Sequence, residues 1–227
     1  MDLKKGFFQE RMKYLELLLT ILLFTISCSG IPKLVEDPAV QMSCGLPFPK
    51  GNWQFIHSIE ATMPGGTASV IGITDISSDL ETIHCIIVSI EGLVLFDGVY
   101  REEVVINRGI QPFDSKEFAK GLMNDIRMVF FQPVGELTGT GVLSNGSHVC
   151  RYRNDTMTVV DVIIAQNHDW EIRQYRDGNL NRSVKAYLNE KAIGGVQKAF
   201  PGRIELSVNE DPGYSLTLRL IRAEPLH

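Results

Sequence analysis

Along most of the chain apolar and polar residues alternate with a period of two, and one long stretch breaks that rule. From Phe113 to Pro133 (FDSKEFAKGLMNDIRMVFFQP), the apolar residues Phe118, Leu122, Met123, Ile126, Val129 and Phe130 recur at i, i+3, i+4 spacing. Lys116, Glu117, Lys120, Asn124 and Arg127 fall opposite them, so the stretch predicts a helix with one apolar face. Asp114 with Glu117 three residues on is a D-x-x-E variant of the capping box, and Pro133 disfavours helical geometry at Gln132. Both ends of the helix are therefore specified locally.

On either side the pattern predicts strands. Trp53 to Ala61 and Thr67 to Asp75 flank Pro64-Gly65-Gly66, and Thr82 to Ile90 and Leu93 to Tyr100 flank Glu91-Gly92, each with hairpin chemistry at the turn. Glu103 to Asn107 adds a strand before the helix. Beyond it come Val149 to Arg153, Met157 to Gln166, and a hairpin of Trp170 to Arg176 with Arg182 to Leu188. The latter turns at Asp177-Gly178-Asn179, which favours positive φ. Arg203 to Val208 alternates cleanly, and so does Tyr214 to Leu220, with Tyr214, Leu216, Leu218 and Leu220 on one face and Ser215, Thr217 and Arg219 on the other. Asn189 to Phe200 fits a short helix broken at Gly194-Gly195 or a strand and turn equally well.

Roughly nine to eleven strands of ordinary length joined by short turns, with one helix between them, predict a mainly β fold. The expected architecture is a curved, open antiparallel sheet, because strands twist, with the mid-chain helix covering its concave face. The pattern leaves open whether that helix closes a packed core or forms a lid over an apolar cavity. In the second case Phe118, Leu122, Ile126, Val129 and Phe130 are the candidate lipid-binding, cavity-lining residues.

The amino terminus changes the picture from a domain to an exported one. Lys4, Lys5, Arg11 and Lys13 precede the apolar run Leu17 to Ile26 (LLLTILLFTI), which is followed by Ser27, Cys28, Ser29 and Gly30. A run of about ten residues is too short to cross a hydrocarbon layer of about 30 Å as a helix, so export with cleavage is expected. Thr25-Ile26-Ser27-Cys28 resembles the bacterial lipobox, which makes residues 1–27 a lipoprotein signal peptide and Cys28 the lipidation site, with Thr25 where Leu or Val is usual. A covalent diacylglycerol and acyl group on Cys28 would tether the mature chain to the membrane, each buried methylene contributing about 0.8 kcal/mol. Residues 28–50, with Pro32, Pro38, Pro47 and Pro49, read as a linker to a domain at 51–227.

Composition and charge narrow the partners. The 227 residues are 44% hydrophobic with a formal charge of −5, and the leader holds four basic and three acidic residues, so the mature part is slightly more acidic. No basic run, zinc-type spacing or glycine-rich phosphate loop is present, and no nucleic-acid partner, metal or other cofactor is expected. Cys44, Cys85 and Cys150 allow one disulfide with a spare thiol, or three buried thiols. Cys85 lies in an apolar strand, where the role of a small buried hydrophobe is expected.

Catalysis is not expected. His84 adjoins Cys85 and points to the opposite strand face, no serine sits in a nucleophile elbow, and His168-Asp169 falls where a turn belongs. Arg173, Arg176 and Arg182 on one hairpin are read either as an anion patch or as solvated arginines.

The lipobox-type leader, the antiparallel strands, the helix ending in proline (LMNDIRMVFFQPVGEL, Leu122 to Leu137) and the last strand GYSLTLRLI (Gly213 to Ile221) are together similar to a family of bacterial lipoproteins grouped with LolA and LolB. The resemblance covers about Asn52 to Arg222. Members of that family are similar to proteins encoded beside synthases of membrane-bound polyene lipids. The resemblance implies an unclosed β-barrel with a helical lid around an apolar cavity for lipid or lipoprotein acyl chains. It also implies a monomer, anchored through Cys28 at the periplasmic face of the outer membrane, with a role in lipid or lipoprotein transport or localisation. Ser29 after Cys28 is consistent with outer-membrane sorting. The alternative is a non-catalytic interaction or scaffold lipoprotein of the envelope with a closed core.

Overall fold

A computed structural model describes residues 30–154, 157–188 and 200–226. The predicted leader at 1–27, Cys28 and the ambiguous residues 189–199 lie outside the described residues. Among those described are thirteen strands in one sheet: β1 (Val35–Glu36), β2 (Asn52–Met63), β3 (Gly66–Ser77), β4 (Thr82–Ser89), β5 (Val94–Tyr100), β6 (Val104–Gly109), β7 (Glu136–Val142), β8 (His148–Arg153), β9 (Val159–Ile164), β10 (Trp170–Arg176), β11 (Asn179–Tyr187), β12 (Arg203–Val208) and β13 (Tyr214–Pro225). Among the described residues a single α-helix, α1 (Lys116–Phe130), joins β6 to β7.

The strands follow the order β1-β7-β8-β9-β10-β11-β12-β13-β2-β3-β4-β5-β6, and every paired neighbour is antiparallel. The sheet is therefore two meanders, β2 to β6 and β7 to β13, joined where β13 pairs with β2. Its ends, β6 and β1, do not pair with each other, so the barrel is unclosed. This is the predicted half-barrel. The thirteen strands exceed the nine to eleven expected because β1 is only two residues long and β7 (ELTGTGV) carries two glycines that erase its alternation.

Register confirms which face of each strand is inward. Tyr214, Leu216 and Leu218 of β13 stand opposite Val208, Leu206 and Ile204 of β12, while Leu218 and Leu220 stand opposite Ile59 and His57 of β2. The same inner face continues through Thr74 and Cys85 of β3 and β4. The hairpin at Asp177-Gly178 has φ of 52° and 77°, the left-handed geometry that its sequence favours.

Residues expected to form a linker are instead folded into the domain, which from Ile31 onward is one compact unit. Cys150 and Arg151, adjacent on β8, point to opposite faces. The amino-terminal segment touches both. On the outer face Arg151 donates 2.6 and 2.7 Å bonds to the two oxygens of the fully buried Asp161, and a 2.8 Å bond to the Pro32 carbonyl. The chain then pairs with β7 as β1, turns inward through a 3-10 helix at Pro38–Ser43, and is fixed to the inner face by a disulfide between Cys44 and Cys150. Gly141 permits this wrap, since a Cβ there would lie 2.3 Å from the Val35 carbonyl oxygen. Prolines suggested a spacer, yet Val40, Cys44 and Phe48 are buried, so their apolar surface ties the segment down.

Candidate functional site

The inner face of the sheet is spanned by α1. Its cap is Ser115, whose Oγ accepts from the Phe118 N–H at 3.1 Å, one residue later than the predicted Asp114 cap. Serine performs the same task as aspartate, satisfying an orphan donor of the first turn. Ala119, Met123, Ile126, Val129 and Phe130 are buried, as the helical period requires, and Phe130 stacks on Phe55 with ring centroids 4.7 Å apart.

The five predicted cavity-lining residues divide into three groups. Val129 and Phe130 border a narrow apolar cleft with Phe55, His57, Trp170 and Leu220, whose free space of about 10 Å³ admits on the order of one water. Ile126 is buried in the core behind them. Leu122 and Phe118 are half-buried; Phe118 packs edge-on against Phe113 and Phe96, at 5.1 and 5.7 Å. This flank of the helix packs as a core.

The larger opening lies along the other flank. A cleft of about 350 Å³ separates α1 and the segment after it from the inner faces of β9, β10 and β11. Met128, Phe131, Val160 and Ile172 supply its apolar lining, and Arg127, Arg176 and Arg182 stand among polar residues including Asn124 and Gln174. Sequence reasoning missed Met128 and Phe131 because they sit at the edge of the helical stripe, where period alone does not separate core from lining. Register separates the arginines: Arg182 faces Gln174 across the hairpin and turns inward, whereas Arg173 faces Ser183 and Asp161 on the outer side and bonds Glu171 at 2.8 Å.

A buried polar junction ties the cleft to α1. Arg182 Nη1 lies 2.5 Å from Asp125 Oδ1, and the Tyr214 hydroxyl donates to the other oxygen of the same carboxylate. Burial raises the Asp125 pKa from 3.8 to about 6, against the opposing pull of Tyr214 and Arg182. Burial, with the Asp125 charge adding to it, likewise pushes the Tyr214 hydroxyl well above its ordinary range. Nearby, Arg176 Nη1 bonds Glu210 at 2.8 Å, and the same Glu210 oxygen accepts from Asn181 at 3.0 Å.

Burial lowers the His57 pKa to about 4 and pushes the Cys85 thiol up to about 12, so one is held neutral and the other is a poor nucleophile. Cys85 is the small buried hydrophobe predicted for it. Among the described residues no group of three or more His, Cys, Asp or Glu is placed to hold a metal. The site offers apolar contact and guanidinium donors.

An unclosed antiparallel sheet crossed by one helix has solved counterparts. The chain is similar to a LolA superfamily protein from Nitrosomonas europaea, with a TM-score of 0.52, 11% identity, and 85% of this chain and 94% of that one covered. The two chains share a fold. A domain described as an outer membrane lipoprotein-sorting protein, from Vibrio parahaemolyticus, aligns at a TM-score of 0.49 and 6% identity over 82% of this chain and 90% of that one. No family model and no curated protein matches the sequence. The LolA-like sheet thus agrees with the fold that the sequence resemblance implied, and at this identity the agreement is one of architecture alone.

Proposed function

We propose that this protein is a non-catalytic, membrane-anchored envelope lipoprotein that binds acyl chains of lipid or lipoprotein beneath α1 and acts in their transport or localisation. The observation that carries the reading is the cleft of about 350 Å³ under the helix, with Met128, Phe131, Val160 and Ile172 in its lining. The cleft joins these apolar side chains to a polar rim, and its size is within the range that accepts small ligands, roughly 300–1,000 Å³. The Cys44–Cys150 disulfide suits an oxidising compartment such as the periplasm, in keeping with the leader. Anchorage through acylated Cys28 at the outer membrane's periplasmic face completes the proposal.

Two measurements test it. Titration of the mature chain with a fluorescent fatty acid is expected to saturate, and Met128→Trp, which fills the cleft, should weaken binding. Cys28→Ser should leave the domain folded and release it from the membrane fraction; unchanged fractionation would remove the anchor from the proposal.

A second reading is supported by the other flank of α1, where the space beside Phe130 holds about one water. On that reading the helix closes a core and the protein is an interaction lipoprotein. Failure of wild type to bind any acyl probe would favour it.

A further inference from the structure

We propose that the cleft between α1 and strands β9 to β11 recognises the anionic head of an amphiphile, a carboxylate or phosphate held by Arg127, Arg176 and Arg182 with the first carbons of its chain on Met128, Phe131 and Val160. This rests on the acyl-binding reading and adds the charge class of the ligand.

The sign of the ligand follows from the lining. Among the described residues three guanidinium groups border the cleft, and no carboxylate does. Each arginine has an acidic neighbour, but those neighbours, Glu81, Asp125 and Glu210, stand outside the lining. A cationic head would face three guanidinium groups here. A neutral head would offer them no opposite charge.

The existing ion pairs do not saturate these arginines. Arg127 and Arg176 each contact their carboxylate through one terminal nitrogen, at 3.2 and 2.8 Å, and a guanidinium carries five N–H donors. Glu81 is 64% exposed and Glu210 38%, and pairs to such solvated carboxylates contribute little. They give way readily to an anion that offers two oxygens to a planar fork. Arg182 is different, being only 16% exposed and held by the buried Asp125. Because burial keeps the Asp125 pKa near 6, mild acidification protonates that carboxylate and leaves the Arg182 charge to the cleft.

The apolar part sets the other end of the ligand. Met128 of α1 and Val160 of β9 are half-buried and Phe131 is 7% exposed at the end of α1, so these side chains present apolar surface to the cleft, with the fully buried Ile172 packed behind them. Arg127 lies over the rings of Tyr100 and Phe131, at 5.0 and 5.8 Å, which holds its guanidinium at the boundary between apolar floor and polar rim. A free inorganic anion would satisfy the rim and leave the floor unused.

The test compares dodecanoate, dodecyl phosphate, dodecanol, acetate and inorganic phosphate, titrated by calorimetry into the full mature protein. Both charged amphiphiles are expected to bind at least about tenfold tighter than dodecanol, the range of one or more charge-assisted hydrogen bonds. That preference should shrink as salt rises. Arg176→Gln should collapse it, Arg176→Lys should restore part of it, and Arg173→Gln on the outer face should leave it intact. Equal affinity of wild type for dodecanoate and dodecanol overturns head recognition and leaves acyl binding standing. Acetate or phosphate binding as tightly as its chain-bearing counterpart makes this a free-anion site and overturns the amphiphile assignment. No binding by any amphiphile overturns both readings.

Discussion

Arg182 on β11 and Asp125 on α1 approach to 2.5 Å in a site where their side chains are 16% and 6% exposed, so the helix that covers the sheet is fastened to it by a buried charge pair. Tyr214 of β13 joins the same carboxylate. Removing one partner of such a pair strands the other charge and typically costs about 3–5 kcal/mol. Asp125→Ala is therefore expected to lower unfolding free energy by that amount in urea, and Asp125→Asn by less. The double variant Asp125→Leu with Arg182→Met should recover much of the loss, because two well-packed apolar side chains replace both charges. Equal losses for the single and double variants would show that shape, not charge, fastens the helix.

The pH dependence of stability contains two opposed contributions. Asp125 has a folded pKa of about 6 against an ordinary 3.8, so between pH 4 and 6 the folded chain holds a proton that the unfolded chain has lost. Stability from this group rises as pH falls through that window, by roughly 3 kcal/mol at most. His57 behaves in the opposite sense. Its folded pKa of about 4 lies below the ordinary 6.5, so stability from it is complete above 6.5 and is lost as pH falls toward 4, again by roughly 3 kcal/mol. In wild type the two nearly cancel. Relative to wild type, His57→Leu should gain stability on going from pH 6.5 to 4.5 and Asp125→Asn should lose it, as read by thermal melting at each pH. Parallel curves for all three proteins would sink the assignment.

Much of this fold was legible in the sequence because each face is written as alternation. Tyr214 to Leu220 alternates without exception, and its inner residues meet Ile204, Leu206 and Val208 as a period of two requires. The helix was legible for the same reason, since Ala119 to Phe130 follows the 3.6 period. Asp125 was not, because a carboxylate on the apolar stripe becomes intelligible only when Arg182 and Tyr214 arrive from strands 57 and 89 residues away. The arginines of the β10–β11 hairpin were visible as a group, but only register separates inward Arg182 from outward Arg173. The wrapped amino-terminal segment was hidden by its prolines, and its partner, the Cys44–Cys150 disulfide, spans 106 residues that no local pattern connects.

That disulfide closes a long loop and fastens the wrap to the inner face of β8. A cross-link of this span removes unfolded-state entropy worth up to about 4–5 kcal/mol, with native disulfides typically contributing 2–5 kcal/mol. Cys44→Ser with Cys150→Ala should lower the unfolding free energy in urea by that amount, and Cys85→Ala, which removes a buried thiol outside the bond, should lower it by about 1 kcal/mol or less. A smaller effect for the disulfide pair than for Cys85 would mean that strand pairing with β7, the buried Val40 and Phe48, and the Arg151 bond to the Pro32 carbonyl hold the wrap without the disulfide.

The two flanks of α1 predict opposite responses to enlargement. Ile126 is buried in the packed flank, and adding volume there forces its neighbours off their rotamers, with a typical cost of about 1–3 kcal/mol. Met128 is half-buried and borders the cleft of about 350 Å³, where an indole has room. Ile126→Trp should therefore melt visibly below wild type, whereas Met128→Trp should melt near it and bind dodecanoate more weakly. If the cleft carries no ligand, Met128→Trp will be silent in both measurements; if Ile126→Trp is as stable as wild type, the flank beside Phe130 is open and the acyl chain belongs there instead.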